Sequence, residues 1–139
     1  MRSKMQNEKG FTLVELMVVV VILGILVAIA VPVYNTVTAK AEKGAIEANL
    51  RTVDGAIMQA IATLDSDDTK LATPTALGTA MDGYIQGGLA ELNPGNYGII
   101  GTDGDPNTYK AQVTITEAKE GGYASGTTLT LVGGKLVSS

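Results

Sequence analysis

The strongest constraint on this chain is an apolar run near its start, Phe11–Val33, which contains a single carboxylate. Only Thr12, Glu15, Gly24 and Pro32 interrupt it. As an α-helix, these 23 residues rise about 34 Å, enough to cross the apolar core of a bilayer. A carboxylate at the centre of such a helix costs roughly 2.5–3.5 kcal/mol by insertion scales. We therefore expect Glu15 to have a function.

The residues before the apolar run orient it. Arg2, Lys4 and Lys9 precede it, and this basic excess predicts that the N-terminus stays on the cytoplasmic side. The alternative is an ordinary secretory signal peptide cleaved after Ala30, which would release a soluble binding domain. The run is longer than the apolar region of most signal peptides, and Glu15 would have no purpose there. A membrane helix is the favoured interpretation.

The segment Lys9–Glu15, with the sequence KGFTLVE, resembles the processing site of type IV pilins and pseudopilins. The resemblance implies that a prepilin peptidase cleaves after Gly10 and methylates the new N-terminal Phe11. It also implies that Glu15, the fifth residue after cleavage, acts in subunit assembly. Three further positions match the family pattern: Gly24, Pro32 and Tyr34.

The residues suggest how Glu15 would act after cleavage. A new amine on Phe11 lies four positions before Glu15, so the two groups share a helix face. The pair can form within one subunit or between neighbouring subunits. In a packed bundle of apolar helices an unpaired carboxylate is several kcal/mol worse than a paired one. We hypothesise that Glu15 selects the register in which its partner is the Phe11 amine of an adjacent subunit.

Two residues weaken the apolar helix. Pro32 has no N–H for the carbonyl of Ala28, which predicts a kink or a looser turn there. Gly24 costs up to about 1 kcal/mol relative to alanine. The family resemblance implies that this stretch melts locally when the filament forms. The alternative is that glycine and proline are simply common in membrane helices.

After the apolar run the pattern becomes that of a globular head. Residues 34–64 predict an amphipathic helix, and residues 65–96 a loop-rich connection with a short helical turn near Thr75–Met81. Residues 97–139 predict a β-meander. The apolar stripe of the helix recurs at steps of three and four: Ile46, Leu50, Val53, Ile57, Ile61 and Leu64.

The strands are predicted from alternation and turn residues. Candidates are Tyr97–Ile100, Tyr109–Thr116, Thr127–Val132 and Lys135–Val137, the last two joined by a tight turn at Gly133-Gly134. The predicted fold class is α+β. A long N-terminal α-helix packs its C-terminal half on a three- or four-stranded antiparallel sheet, which is the pilin fold that the resemblance implies. Four tyrosines are expected in the core or at its edge: Tyr84, Tyr97, Tyr109 and Tyr123.

Composition excludes several classes of protein. The chain has no cysteine and no histidine, so disulfides, thiolate metal sites and Ser–His catalysis are impossible. The formal charge is −4, and residues 1–10 carry +2, which leaves −6 on the rest. That balance disfavours a general nucleic-acid surface. We predict a protein that is not an enzyme and has no cofactor.

The nearest approach to a metal site is a D-x-D-x-N spacing at Asp103, Asp105 and Asn107. A calcium loop needs a glycine next, but Thr108 stands there, and no glutamate follows at loop position twelve. Gly104 and Pro106 predict an ordinary turn. We therefore predict no metal site.

The sequence and the resemblance together predict the major structural subunit of a type IV pilus. Its parts would be a cleaved leader (1–10), a transmembrane and filament-core helix (11–33) and the head (34–139). The implied partners are copies of itself, the prepilin peptidase, and the assembly platform and ATPases. The precursor would lie in the cytoplasmic membrane and the filament at the cell surface. Adhesion, twitching motility and DNA uptake remain open as roles.

A pseudopilin of a type II secretion or competence system is the alternative within the family. Major secretion pseudopilins usually carry a motif with proline and tryptophan near a calcium loop. This chain has no tryptophan. The pilin interpretation is therefore preferred.

Overall fold

The computed structural model describes residues 10–92, 96–116 and 122–139, so most of the predicted leader lies outside the described residues. The chain divides into two compact units, Met1–Thr36 and Val37–Ser139. One helix, α1 (Leu13–Thr63), contributes residues to both. The second unit also contains a short helix and a four-stranded sheet, and it is the head.

The head portion of α1 buries one face. Ile46, Leu50 and Val53 are fully buried and Ile57 is nearly so, which confirms the predicted stripe. Ile61 and Leu64 are partly buried against the same core. Two alanines that the stripe did not include, Ala56 and Ala60, are buried as well. Both belong to the same apolar core as the stripe.

The connection after α1 is more helical than a plain loop. It contains two 3₁₀ turns, Thr69–Leu71 and Met81–Gly83, and the short helix α2, Pro74–Thr79. Thr73 caps α2, its hydroxyl accepting a hydrogen bond from Ala76 N at 3.0 Å, and Pro74 occupies the first turn. The predicted helical turn thus begins one residue early and continues as a 3₁₀ turn.

The sheet is an antiparallel meander in the order β1-β2-β3-β4, as predicted. Gly133 and Gly134 have φ of 56° and 77° and form the tight turn between the last two strands. Beyond β4, Ser139 N donates to Thr128 O at 3.0 Å and Thr128 N donates to Ser139 O at 3.2 Å. The bounds are β1 Asn96–Thr102, β2 Asp105–Thr114, β3 Thr128–Val132 and β4 Lys135–Ser138.

The predicted turn around Asp103–Asn107 is shorter in the structure. Only Asp103 and Gly104 form the turn, and β2 already starts at Asp105, so Pro106 lies in a strand. Proline is tolerated there because β3 pairs only with residues 112–114, and Pro106 therefore removes no hydrogen bond to β3.

The helix stripe and one face of the sheet form a single apolar core, and the described residues place no polar or charged side chain fully inside it, tyrosines apart. Tyr97 and Tyr109 belong to this core and Tyr84 and Tyr123 pack at its edge, as expected. The hydroxyl of Tyr109 donates to Leu71 O at 2.7 Å. This bond ties the sheet to the connection after α1.

Candidate functional site

The candidate site is the N-terminal end of α1. Gly10, Phe11 and Thr12 are not helical, and the helix starts at Leu13. The start has a chemical cause: Glu15 N donates to Thr12 Oγ1 at 3.3 Å, and Leu16 N donates to Thr12 O at 3.3 Å. Thr12 therefore caps the first turn.

The side chain of Glu15 in turn accepts hydrogen bonds from Thr12. Its Oε2 accepts from Thr12 N at 2.9 Å and from Thr12 Oγ1 at 2.8 Å. The two residues form a capping box, in which each side chain satisfies backbone N–H groups that the helix start leaves open. The carboxylate is thereby directed back toward the Phe11–Thr12 peptide. Thr12 is therefore a hydrogen-bond partner of Glu15 within the same chain.

The sequence analysis missed Thr12, although a signal was present. The pattern T-x-x-E at positions 12–15, directly before an apolar run, is the sequence signature of a capping box. The partner predicted for Glu15 was instead the amine that cleavage would create on Phe11. The structure shows that a local partner exists before any cleavage.

The apolar residues at the start of α1 are exposed in the single chain. Every residue from 10 to 37 is exposed, Phe11 at 84%, and the helix is long and apolar enough to cross a membrane. In water this surface would be strongly unfavourable at roughly 25 cal/mol per Å². The segment is therefore suited to a lipid environment or to packing with other apolar helices.

The helix assignment is continuous through Gly24 and Pro32 in this single chain. Pro32 cannot donate to the carbonyl of Ala28, but its own carbonyl accepts from Thr36 Oγ1 at 3.0 Å. Tyr34 lies on the exposed surface. The predicted melting concerns an assembled filament and stays a prediction.

Asp103 lies in the β1–β2 turn, Asp105 and Asn107 lie at the start of β2, and all three are exposed. Oδ1 of Asp105 accepts from Asn107 N at 3.2 Å, so this carboxylate stabilises its own turn. Within the described ranges, no group of three or more Asp, Glu, His or Cys side chains is arranged to hold a metal ion. A two-residue turn followed by the start of β2 therefore accounts for this segment.

The negative charges of Asp103 and Asp105 affect the pKa of Tyr109. Burial raises the pKa of the Tyr109 phenol, and the negative charges of Asp103 and Asp105 raise it further. The phenol is kept neutral, which preserves its hydrogen bond to Leu71 O.

The N-terminal segment of the chain matches a known protein family. Residues 5–31 match the family described as the prokaryotic N-terminal methylation motif. This match includes the capping box and nearly all of the apolar run.

Relatives extend the similarity into the head. A type IV major fimbrial protein, FimA, of Dichelobacter nodosus is 32% identical over 117 residues, covering 82% of this chain and 71% of that protein. A fimbrial protein of the same organism is 33% identical over 131 residues, covering 92% and 77%. A type IV major alpha-pilin of Moraxella bovis is 42% identical over 59 residues, covering 40% and 37%. No solved structure matches the chain.

Proposed function

The chain belongs to the type IV pilins, the fimbrial proteins with an N-terminal methylation motif, and on this premise we propose that it is the major structural subunit of a type IV pilus. The observation that carries the proposal is the apolar helical surface of residues 13–33, which is exposed throughout and has one carboxylate near its start. Such a surface is stable in lipid and again among copies of itself. The role is structural, not enzymatic.

We propose that processing occurs after Gly10 and that Phe11 becomes the methylated N-terminus. What supports this is the local backbone: Gly10, Phe11 and Thr12 lie outside the helix and are exposed. A peptide bond inside a helix has its N–H or C=O engaged by neighbouring turns. The bond between Gly10 and Phe11 has no such restraint, so a peptidase can bind it in extended form.

We propose that Glu15 then exchanges partners. In the described chain its carboxylate caps the helix with Thr12, and an N-cap interaction is worth about 1 kcal/mol. In a buried bundle the carboxylate and the amine must be paired with each other, since leaving one of the two charges buried alone costs about 3–5 kcal/mol. The Phe11 amine of an adjacent subunit therefore displaces Thr12 only where both charges are buried, which is the filament.

We propose that the subunit occupies a series of locations that matches these steps. The precursor lies in the cytoplasmic membrane with its N-terminus inside, where the prepilin peptidase acts on it. The assembly platform and its ATPases then transfer the apolar helix into the filament, with local melting around Gly24 and Pro32. The head forms the cell-surface exterior. These partners are carried over from the family to which the chain belongs.

The experiment is mass spectrometry of the mature N-terminus, together with electron microscopy of sheared surface fractions. We expect a chain that begins with N-methyl-phenylalanine at position 11, recovered from filaments. A mature chain that begins at Val31 would establish the secreted domain instead. Filaments that form only when secretion genes are overexpressed would establish a pseudopilin.

A further inference from the structure

The sheet has one face that does not take part in the core. Successive side chains of a strand point to opposite faces, and in β1, β2 and β3 buried residues alternate with more exposed ones. In β4 the side chain of Leu136 packs on the core, so Lys135 and Val137 point the other way. We call the surface formed by the residues that point away from the core the outer face.

One row of the outer face alternates apolar side chains with lysines. The strand registers pair Ile100 with Lys110 and Val132 with Lys135. These two pairs lie side by side, because Lys110 and Val132 are each two residues from the paired positions 112 and 130. Neighbouring strands are about 4.8 Å apart, so the two lysines lie about 10 Å from each other across the sheet.

The charge of the outer face is opposite to that of the head as a whole. The chain carries −4, residues 1–10 carry +2 and Glu15 carries −1, which leaves −5 on residues 34–139. The four described strands contain two lysines, Lys110 and Lys135, and both point away from the core. Their one carboxylate, Asp105, has the same alternation as the buried Tyr109 and does not belong to the outer face.

The outer face also holds most of the apolar surface that the head exposes. Beyond residue 37, four large apolar side chains of the described head are exposed. Three of them belong to the outer face: Ile100 at 36%, Val132 at 41% and Val137 at 50%. Adjacent exposed apolar side chains with a polar rim are typical of an interaction site. The fourth side chain, Met58 on α1, is 64% exposed.

Met58 belongs to a second apolar surface, and this one is negative. It lines a hollow of about 260 Å³ between α1 and β2, together with Ile61 and Pro106. Asp54 lines the same hollow, and the exposed Asp105 directly precedes Pro106. In the described chain no lysine or arginine lines it. We call this surface the Met58 hollow.

We propose that the outer face binds the Met58 hollow of a second copy of the chain. In this contact Val132 and Val137 pack on Met58, and the two lysines of the outer face lie opposite the carboxylates around the hollow. The inference rests on the proposed filament function. A helical homopolymer needs two different, complementary surfaces on each subunit, because its contacts are head-to-tail.

The properties of the two surfaces favour this contact over other contacts between copies. It covers all four large apolar side chains that the described head exposes beyond residue 37. Two outer faces would bring four lysines together, and two hollows would bring their carboxylates together, so like charges oppose both symmetric contacts. The outer face points away from the core, whereas the hollow includes α1 on the core side of the sheet. One chain therefore cannot close the contact on itself.

Cysteine cross-linking tests the contact directly, because the chain has no cysteine and introduced residues supply all the thiols. We expect filaments of the Met58→Cys, Val132→Cys chain to give a ladder of dimers and larger oligomers on mild oxidation. A disulfide requires Cα atoms within about 7 Å. Each single-cysteine chain should remain monomeric, since the contact joins unlike surfaces. The matched control pairs Met58→Cys with Gln86→Cys, an exposed position on neither surface, and should give no ladder.

Charge reversal gives a second, independent measurement. The Lys110→Glu, Lys135→Glu chain should yield about fivefold less sheared filament, since two attractive pairs become repulsive. Adding Asp54→Lys should restore part of that loss, because one attractive pair returns. The control is Lys70→Glu, an exposed lysine on neither surface, which should leave the yield unchanged. At about 1 M salt the differences should shrink, because the Debye length falls to about 3 Å.

Two results would overturn the inference while leaving the proposed function intact. One is normal filaments in which the Met58–Val132 cysteine pair gives no ladder, or the same ladder as the control pair. The other is a chain with Asp54→Lys that yields no more filament than the doubly reversed chain, and this result decides the matter if the double-cysteine chain does not assemble. Absence of filaments from the unaltered chain would instead count against the proposed function.

Discussion

The two parts of α1 follow different physical rules although they belong to one helix. Between residues 13 and 33 the helix is apolar on all sides apart from Glu15, and every residue is exposed. Between residues 37 and 63 it is amphipathic, and one face is buried against the rest of the head. The same backbone thus depends on an external environment in its first part and on its own chain in its second.

The two parts of α1 derive their stability from different sources. The head helix gains its free energy from intramolecular burial at roughly 25 cal/mol per Å², so the head should unfold as a cooperative unit. The apolar part has no such source within the chain. It is stable where lipid or neighbouring helices surround it, and substitutions there should affect assembly more than folding.

The largest effect is expected at Glu15. Glu15→Val should reduce incorporation into filaments by about tenfold or more, because the Phe11 amine of the neighbour would be buried without a partner. Glu15→Gln keeps an acceptor oxygen but loses the charge, so it separates ion pairing from hydrogen bonding. The measurement is the ratio of filament to membrane subunits in cells.

Glu47→Gln is the matched control, since it removes a carboxylate from the head part of the same helix. It should leave incorporation unchanged. Thermal unfolding of the head should be the same for all three chains. Wild-type incorporation of Glu15→Val would contradict both the pairing and the partner exchange.

The next largest effect distinguishes the two parts of α1, because the same change of leucine to alanine is made once in each part. Leu50→Ala should destabilise the head by about 2–5 kcal/mol, because Leu50 is fully buried and the site cannot collapse around a smaller side chain. Leu23→Ala makes the same chemical change in the exposed part and should leave head unfolding unaltered. Urea denaturation of the full chain in detergent, followed by the tyrosine signal, measures both. Equal losses at the two positions would show that the parts do not fold independently.

A smaller effect is expected at the helix start. Thr12→Val removes the hydroxyl and two of the three side-chain bonds of the capping box, at a cost of about 1 kcal/mol. Amides of the first turn should then exchange about fivefold faster in detergent micelles. Thr36→Val, further along the helix, is the control. Amides in the head should be unaffected by either change.

The smallest effect depends on pH and belongs to the head. The folded-state pKa of Tyr109 is raised above its ordinary value near 10, so its contribution is complete below about pH 10 and is lost as pH rises through the folded pKa. Tyr109→Phe should cost about 1 kcal/mol at pH 8, from the lost bond to Leu71, and should flatten the alkaline decline. Urea titrations between pH 8 and 11 measure this. An unchanged slope in Tyr109→Phe would rule out the assignment.

The correct sequence predictions were those that rest on local rules. The stripe through Ile46, Leu50 and Val53 follows the helical period, and Gly133-Gly134 specifies its hairpin because positive φ suits glycine. Burial of Ala56 and Ala60 escaped prediction, since alanine carries little periodic signal and its burial depends on how near the sheet comes. The early start of β2 escaped for a similar reason. Pro106 argues against a strand unless the neighbouring strand is known to end before it.

The apolar run with its carboxylate, the amphipathic helix and the alternating strands are predictable from the amino-acid order, since each follows from the succession of side chains along the backbone. The hydrogen-bond partner of Tyr109 and the identity of the two edge strands follow instead from how the chain folds in three dimensions. Those features join residues far apart in the chain. No local pattern records such distances, because they arise from how helix and sheet pack.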